Sequence, residues 1–383
     1  MIDVVVGGQF GSEGKGHVAA QLVRRLTDRD RDIVLVRVAG PNAGHSAVDA
    51  NGRKWALRQI PVGAVVNTEC PVVLGAGSEI DLAVLDEEIT ALEDGGIPIL
   101  NRLAIDSSAT IIEPAHLTDE ATNDLTARIG STGKGVGAAR ADRIWRTAPI
   151  FDNWRDTQGY EAKIDYHIND VVQDNTAAYL QAADYDGASV IIEGTQGYGL
   201  GFHTEWYPYC TSSDCTAQAF MSMAGVLPIN GLRVWVVFRT YPIRVAGNSG
   251  SMFAETTWEW LAAETGGHVK PEKTTVTQKT RRVGLWDDRL ARLALEANGA
   301  PVDWERSTDA EQHRTHLRPC LMFADYILPE IAGTTTRSDI RRNTEPGRWL
   351  GMLAHQSPFA MIGTPAMYGT GPDTVVWDES LTL

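Results

Sequence analysis

Short apolar runs rich in β-branched residues alternate along this chain with longer stretches whose apolar positions recur at helical spacing. The pattern predicts strands at Ile2–Val6, Ile33–Val38, Val72–Gly75, Ser189–Glu193 and Arg233–Thr240. The clearest helical patterns are Ser12–Leu26, Ile80–Asp94, Ile168–Ala183 and Asp287–Asn298. Short apolar strands with helices between them give an α/β fold built on a large, mainly parallel, doubly wound sheet. Glycine-rich loops follow several strands: Ala39–His45, Gly75–Ser78, Gly194–Gly201 and Val245–Ser251. In such sheets ligands bind where the carboxyl ends of the strands open into loops. There is no internal repeat, and the polar stretch Asp303–Arg318 reads as a solvated excursion rather than a linker. Residues 1–383 are therefore expected to form one continuous domain with long functional loops.

Composition narrows the function classes. A chain of 383 residues that is 43% hydrophobic can bury a large core. A net charge of −15 argues against nucleic-acid and membrane-surface partners, which require a basic face, while leaving room for a basic pocket. Cys70, Cys210, Cys215 and Cys320 form no C-x-x-C pair, so neither a zinc ribbon nor a disulfide framework is expected. The first strand has no basic leader, and no apolar run is long enough to span a bilayer. A soluble cytoplasmic protein is the expectation.

The candidate chemistry begins at Val4–Gly16, VVVGGQFGSEGKG, in which a β-branched run passes through a glycine turn into a helical pattern. Strand, glycine turn and helix present backbone N–H groups and a helix N-terminus to a phosphate. The spacing is not that of a Walker A loop, and Gly16 stands where that motif needs a magnesium-binding hydroxyl. Pro41–His45 places a histidine after the second strand, and an imidazole can protonate a leaving oxyanion near neutral pH. Gly130–Gly137, GSTGKGVG, offers further N–H and O–H donors to a phosphate. Lys279, Arg281 and Arg282 can clamp a carboxylate.

In this order and register the segments resemble adenylosuccinate synthetases, and the resemblance runs from Val4 to Asp373. That family's first loop reads G-x-Q-W-G-D-E-G-K-G; its aspartate is the catalytic base and a metal ligand, and here it is Ser12. The resemblance implies phosphorylation of a purine 6-oxygen by a nucleoside triphosphate, then displacement of phosphate by the amine of L-aspartate. It implies Mg²⁺ at Ser12 and Gly44, and catalytic roles for Ser12, Lys15 and His45, with His45 in the family's N-A-G-H. Triphosphate contacts are implied at Gly11, Ser12, Glu13, Gly14, Lys15 and Gly16, and at Gly44, His45 and Ser46. Met322-Phe323-Ala324-Asp325 matches the guanine-reading T-K-L-D with Phe323 in place of the lysine, and Gly369, Thr370 and Gly371 match the last nucleotide loop. ATP or dATP is therefore expected to replace GTP as donor.

For the acceptor nucleotide, the resemblance implies Ser12, Asn42 and Ala43, then Ser131 and Thr132 in the family's G-T-T-G-R-G-I-G. It adds Gln196 in E-G-A-Q-G, Thr211 in Y-P-Y-V-T-S-S, and Arg146 reaching across a homodimer interface. Aspartate contacts fall on Thr275, Val276, Thr277, Gln278, Lys279, Thr280 and Arg281, matching T-T-G-R-R-R-R-T-G. A serine hydroxyl is a far weaker base than a carboxylate. It is also smaller and uncharged, leaving room for the 2-amino group of guanine. A viral branch of the family carries this replacement and acts on dGMP, giving N6-succinyl-2-amino-2′-deoxyadenylate for 2-aminoadenine DNA. The chain is read as similar to that branch. Two alternatives stand beside this reading: an ordinary synthetase using IMP and GTP, and a nucleotide-binding switch or inactive homologue.

Overall fold

The computed structural model describes residues 1–152, 172–266, 268–273, 279–301, 316–343 and 365–378. Ten strands form its central sheet: β1 (Ile2–Gly7), β2 (Ile33–Arg37), β3 (Val72–Leu74), β4 (Leu103–Asp106), β5 (Val172–Gln173), β6 (Ser189–Glu193), β7 (Leu232–Arg239), β8 (Leu317–Met322), β9 (Met367–Gly369) and β10 (Val375–Trp377). Their order is β10-β9-β8-β7-β1-β6-β2-β3-β4-β5. All neighbours run parallel except β9 and β10, so one antiparallel strand closes an edge.

Both faces of the sheet are covered, as continuous apolar strands require. On β1, Val5 belongs to the apolar cluster that also holds Val18 and Leu22 of α1 (Lys15–Thr27) and Leu85 of α2 (Leu82–Asp94). Ile2, Val4 and Val6 point the other way, where α4 (Thr176–Tyr185), α5 (Ala217–Ala224) and α6 (Asp288–Ala297) supply Leu180, Phe220 and Leu295. A further helix, α3 (Val136–Trp145), stands beyond the sheet and follows the second glycine loop. One buried charge interrupts the apolar run of β1. Asp3 is fully buried and takes a bidentate pair from Arg233, at 2.7 and 2.7 Å, plus the Trp235 indole at 2.8 Å. Such pairing is what makes a buried carboxylate tolerable.

The five expected strands are present to within a residue at either end, and the helices differ chiefly at their starts. α1 begins at Lys15 rather than Ser12, because Gly11, Ser12 and Gly14 hold φ of 88°, 59° and 98°, outside the right-handed helical region. α2 begins at Leu82 because Asp81 caps it, accepting from the Ala83 and Val84 amides at 3.1 and 3.2 Å. The helix expected over Ile168–Ala183 is found only over Thr176–Tyr185, because Val172 and Gln173 pair with β4 as strand β5 and Asn175 caps the helix; residues 168–171 and 302–315 lie outside the described residues. No helix among the described residues is long and apolar enough to cross a membrane.

Candidate active site

The carboxyl ends of β1, β2, β6, β7 and β8 deliver their loops to one edge of the sheet, around a cleft of about 820 Å³. The first loop is shaped from beneath by Glu13. Its fully buried carboxylate accepts from the Gln9 and Gly11 amides at 3.1 and 2.7 Å and from Lys15 Nζ at 2.6 Å. A Cβ at Gly7 or Gly197 would lie 2.6 or 2.3 Å from that carboxylate, which is why both positions are glycine. The Glu13 side chain therefore turns away from the cleft as a strut, not toward a nucleotide as expected from sequence. Gly11, Ser12, Gly14, Lys15 and Gly16 line the cleft itself.

His45 opens a hairpin, His45–Val48 against Lys54–Leu57, seated over Gly16. Its Nδ1 lies 2.6 Å from Glu193 Oε1, and Arg37 Nη1 donates to the same oxygen at 2.5 Å. Arg37 and Glu193 are register partners at the carboxyl ends of β2 and β6, so the sheet itself places the pair. Glu193 Oε2 accepts from the Val62 amide at 3.0 Å, and Arg37 Nη2 donates to the Ala43 carbonyl at 2.8 Å. Burial, followed by the Arg37 charge, pushes the His45 imidazole down to about 4 despite Glu193. In this state the ring is neutral, with Nδ1–H directed at Glu193 and Nε2 left as an acceptor. It acts as an acid only once an anionic group in the cleft raises its affinity for a proton.

Asn42, Ala43, Gly44, His45 and Ser46 line the same cleft, and so do Ser131, Thr132 and Gln196. Thr211 lines an adjoining recess of about 320 Å³ that shares Asn42, Ser131, Thr132 and Gln196 with the main cleft. Beneath the second glycine loop, Arg140 of α3 grips Glu79 at 2.6 and 3.1 Å and the Ser212 carbonyl at 3.2 Å. That pair fixes the Thr132 loop and the Thr211 loop relative to one another.

At the far end, Arg281 Nη1 donates to Ser12 Oγ at 2.7 Å, while Arg239 Nη1 donates to the Ser12 carbonyl at 3.1 Å. Glu272 joins the two arginines: its carboxylate takes Arg239 at 2.5 and 3.2 Å, and its carbonyl takes the Arg281 amide at 2.9 Å. Burial would raise the Glu272 carboxyl, but Arg239 and Arg281 hold it below the usual range. The Arg239 guanidinium lies 4.3 Å from the centre of the Phe323 ring, with Tyr326 beside it at 5.1 Å. Lys279 and Asp325 complete this end, and burial pushes the Asp325 carboxyl up. Thr280 lies at the exposed base of the loop, bridged to Lys273.

Several expectations need correction or relocation. Thr370 is fully buried and donates its hydroxyl to the Thr334 carbonyl at 2.7 Å, and Gly369 backs onto Met322 within β9. Of that loop only Gly371 reaches the cleft, with Pro372. Arg146 caps α3 with φ 64°, is exposed, and lies outside the cleft of its own chain. Thr275, Val276, Thr277 and Gln278 fall outside the described residues.

A family model for adenylosuccinate synthetase matches residues 4–171 and 160–302. The adenylosuccinate synthetases of Thermococcus onnurineus and Pyrococcus horikoshii are 39% and 38% identical over 300 residues, 78% of this chain and 81% of each relative. The chain belongs to the adenylosuccinate synthetase family. Two solved structures share its fold. Cyanophage S-2L succinoaminodeoxyadenylate synthetase (PurZ), bound to dGMP and dATP as an energy donor, has a TM-score of 0.73 and 26% identity, covering 98% of this chain and 95% of that one. Plasmodium falciparum adenylosuccinate synthetase, fully ligated, has a TM-score of 0.76 and 20% identity, covering 98% and 99%. Membership makes the protein a carbon–nitrogen ligase that joins aspartate to a purine nucleotide.

For an adenylosuccinate synthetase, the expected magnesium fits this site only in part. No group of three or more His, Cys, Asp or Glu side chains that could hold a metal occurs among the described residues. Gly44 offers a backbone carbonyl on the cleft wall, but Ser12 Oγ is turned to a guanidinium, where a second cation would be repelled. The sequence reading also missed four supporting residues: Arg37, which orients His45 together with Glu193, and Arg239 and Glu272, which frame Ser12. Their signal was a charged residue closing an apolar strand (Arg37, Glu193, Arg239), where burial demands a partner.

Proposed function

We propose that this ligase joins L-aspartate to C6 of dGMP, with ATP or dATP as phosphoryl donor, giving N6-succinyl-2-amino-2′-deoxyadenylate for 2-aminoadenine DNA. The observation that carries the reading is Ser12, a small neutral side chain at the cleft, its Oγ held by Arg281. A carboxylate there would project further and carry charge; a hydroxyl leaves space for the guanine 2-amino group. The cyanophage neighbour, solved with dGMP and dATP, supports the same substrate pair.

In this reading the triphosphate lies along the first loop and the α1 N-terminus, with Lys15 and the loop amides against its oxygens. His45 accepts a proton at Nε2 as the phosphates arrive, then donates hydrogen-bonding to the transferred group, oriented through Nδ1 by Glu193. Ser131, Thr132 and, from a second copy in a homodimer, Arg146 hold the acceptor phosphate; Gln196 and Thr211 meet the purine. Lys279 and Arg281, with the Thr275–Gln278 segment, take aspartate's carboxylates. The Gly44 carbonyl on the cleft wall would hold Mg²⁺, which would supply charge neutralisation to the phosphates. Phe323 stacks on the donor base while Asp325 accepts from its amino group, which suits adenine.

The test is phosphate release with aspartate, ATP and Mg²⁺, adding dGMP or IMP separately. Release with dGMP supports the proposal. Release with IMP alone returns the chain to the ordinary activity, which the 39% identity to an archaeal adenylosuccinate synthetase favours. Release with neither indicates an inactive homologue.

A further inference from the structure

Ser12 takes the place of a base without being one, and its hydrogen bonding says what it does instead. Arg281 Nη1 donates to Ser12 Oγ at 2.7 Å, so one lone pair of that oxygen is occupied by a cation's N–H. A guanidinium has no acceptor, so the serine's own hydrogen is directed elsewhere, and Ser12 faces the cleft. The hydroxyl therefore presents a donor to a ligand, whereas a carboxylate at the same position presents only acceptors. A 6-oxopurine with N1 protonated offers a donor there, which only the hydroxyl's second lone pair is left to meet, beside the Arg281 charge. Once N1 has lost its proton it offers a lone pair and a negative charge.

We propose that the Ser12–Arg281 pair binds the N1-deprotonated form of the 6-oxopurine, stabilising the anion instead of removing its proton. The inference rests on the reading that this cleft takes a 6-oxopurine nucleotide against Ser12, and it holds for dGMP or IMP alike. The charges around Ser12 favour an anion. On its own loop Glu13 and Lys15 are paired with each other. Arg239 from the end of β7 and Arg281 both lie against Ser12, on its carbonyl and its hydroxyl, with the Glu272 carboxylate taking Arg239. Asp325 and Tyr326 line the donor end with Phe323, and Tyr326 donates its hydroxyl to Glu272 Oε1 at 3.3 Å.

The proton balance is explicit. The N1 proton leaves to solvent water or hydroxide, and the purine carries the charge on N1 and O6. O6 then bonds to the γ-phosphorus as the bond to the bridging oxygen breaks, releasing the nucleoside diphosphate. The amine of aspartate bonds to C6 and loses a proton, and phosphate departs with O6.

The experiment is an ultraviolet difference titration of nucleotide bound to the whole protein, without donor or aspartate, because purine anions absorb differently from the neutral base. It is run with dGMP and with IMP, each against the free nucleotide. The expected result is that whichever nucleotide binds loses its N1 proton at least ~1 pH unit earlier than when free, a tenfold preference for the anion. Ser12→Ala and Arg281→Lys are each expected to return the titration at least half-way to the free value. An unshifted N1 titration in the unaltered protein overturns the inference, and so does a shift that both variants retain. Binding of IMP but not dGMP overturns the dGMP reading alone, since the N1 shift is then read on IMP. Binding of neither overturns both.

Discussion

Glu193→Gln tests whether the imidazole is set by its support. The carboxylate is 1% exposed and receives three donors: Arg37 and His45 on Oε1, at 2.5 and 2.6 Å, and the Val62 amide on Oε2 at 3.0 Å. Glutamine keeps the shape but has one oxygen and one NH₂. In either orientation a donor faces a donor, at Val62 or at Arg37 and His45, and the buried Arg37 charge loses its hydrogen-bonded counter-ion, keeping only the more distant Glu88. Removing one partner of a buried pair costs about 3–5 kcal/mol. The retained oxygen recovers part of that, leaving ~3 kcal/mol. With roughly 2.1 cal/mol/K of unfolding entropy per residue, a chain of 383 residues loses about 4 °C in Tm. The larger effect is on chemistry: with Nδ1 no longer pinned, the ring loses its orientation, and kcat is expected to fall about 100-fold or more, with KM for aspartate little changed. The assay is steady-state phosphate release beside thermal denaturation, with Glu205→Gln, which breaks the exposed Arg289 pair, as the control that moves neither. Unchanged kcat, or a loss confined to KM, would refute the reasoning.

Ser12→Asp places a carboxylate where Arg281 now donates to a hydroxyl, so an ion pair forms and Arg281 is withdrawn from aspartate; KM for aspartate is expected to rise about tenfold and dGMP turnover to fall, measured by phosphate release. Glu272→Gln frees Arg239 from its carboxylate and loosens both sides of Ser12, raising nucleotide KM several-fold with less than about 2 kcal/mol lost in urea denaturation, because Tyr326 and the retained amide oxygen still hold the segment. His45 and His17 are both lowered to about 4, burial being the chief cause, while the unfolded chain titrates near 6.5. The unfolded state thus binds protons first, and stability present above pH 6.5 is lost as pH falls toward 4; a His17→Gln, His45→Gln double variant should flatten the decline between pH 6.5 and 5 in denaturant titrations. Arg146→Ala is expected to leave Tm within about 1 °C, since the side chain is exposed, yet to raise nucleotide KM in the assembled protein.

Much of the site was legible because glycine and phosphate chemistry leave a dense local imprint. The first loop announces itself through residues that only a left-handed or tightly packed backbone needs, such as Gly7, Gly11 and Gly14. The strands were equally plain, because burial on both faces forces uninterrupted apolar runs. Long-range pairing was not legible. Nothing near Glu193 in sequence says that Arg37 is its register partner, or that Arg239 reaches back to Ser12. The short strands β4, β5, β9 and β10 owe their existence to neighbours in the sheet and carry little periodicity of their own. Thr370 was read from its neighbours' motif as a nucleotide contact, and the packing that turns it inward belongs to Thr334, far from it in sequence.

The central claim, that a serine at position 12 marks guanine as the acceptor base, is tested most directly by competition. Equimolar dGMP and IMP are supplied together with aspartate, ATP and Mg²⁺, and the nucleotide products are identified by mass. The account predicts the succinyl adduct of dGMP in at least tenfold excess. Adenylosuccinate from IMP as the main product would contradict it.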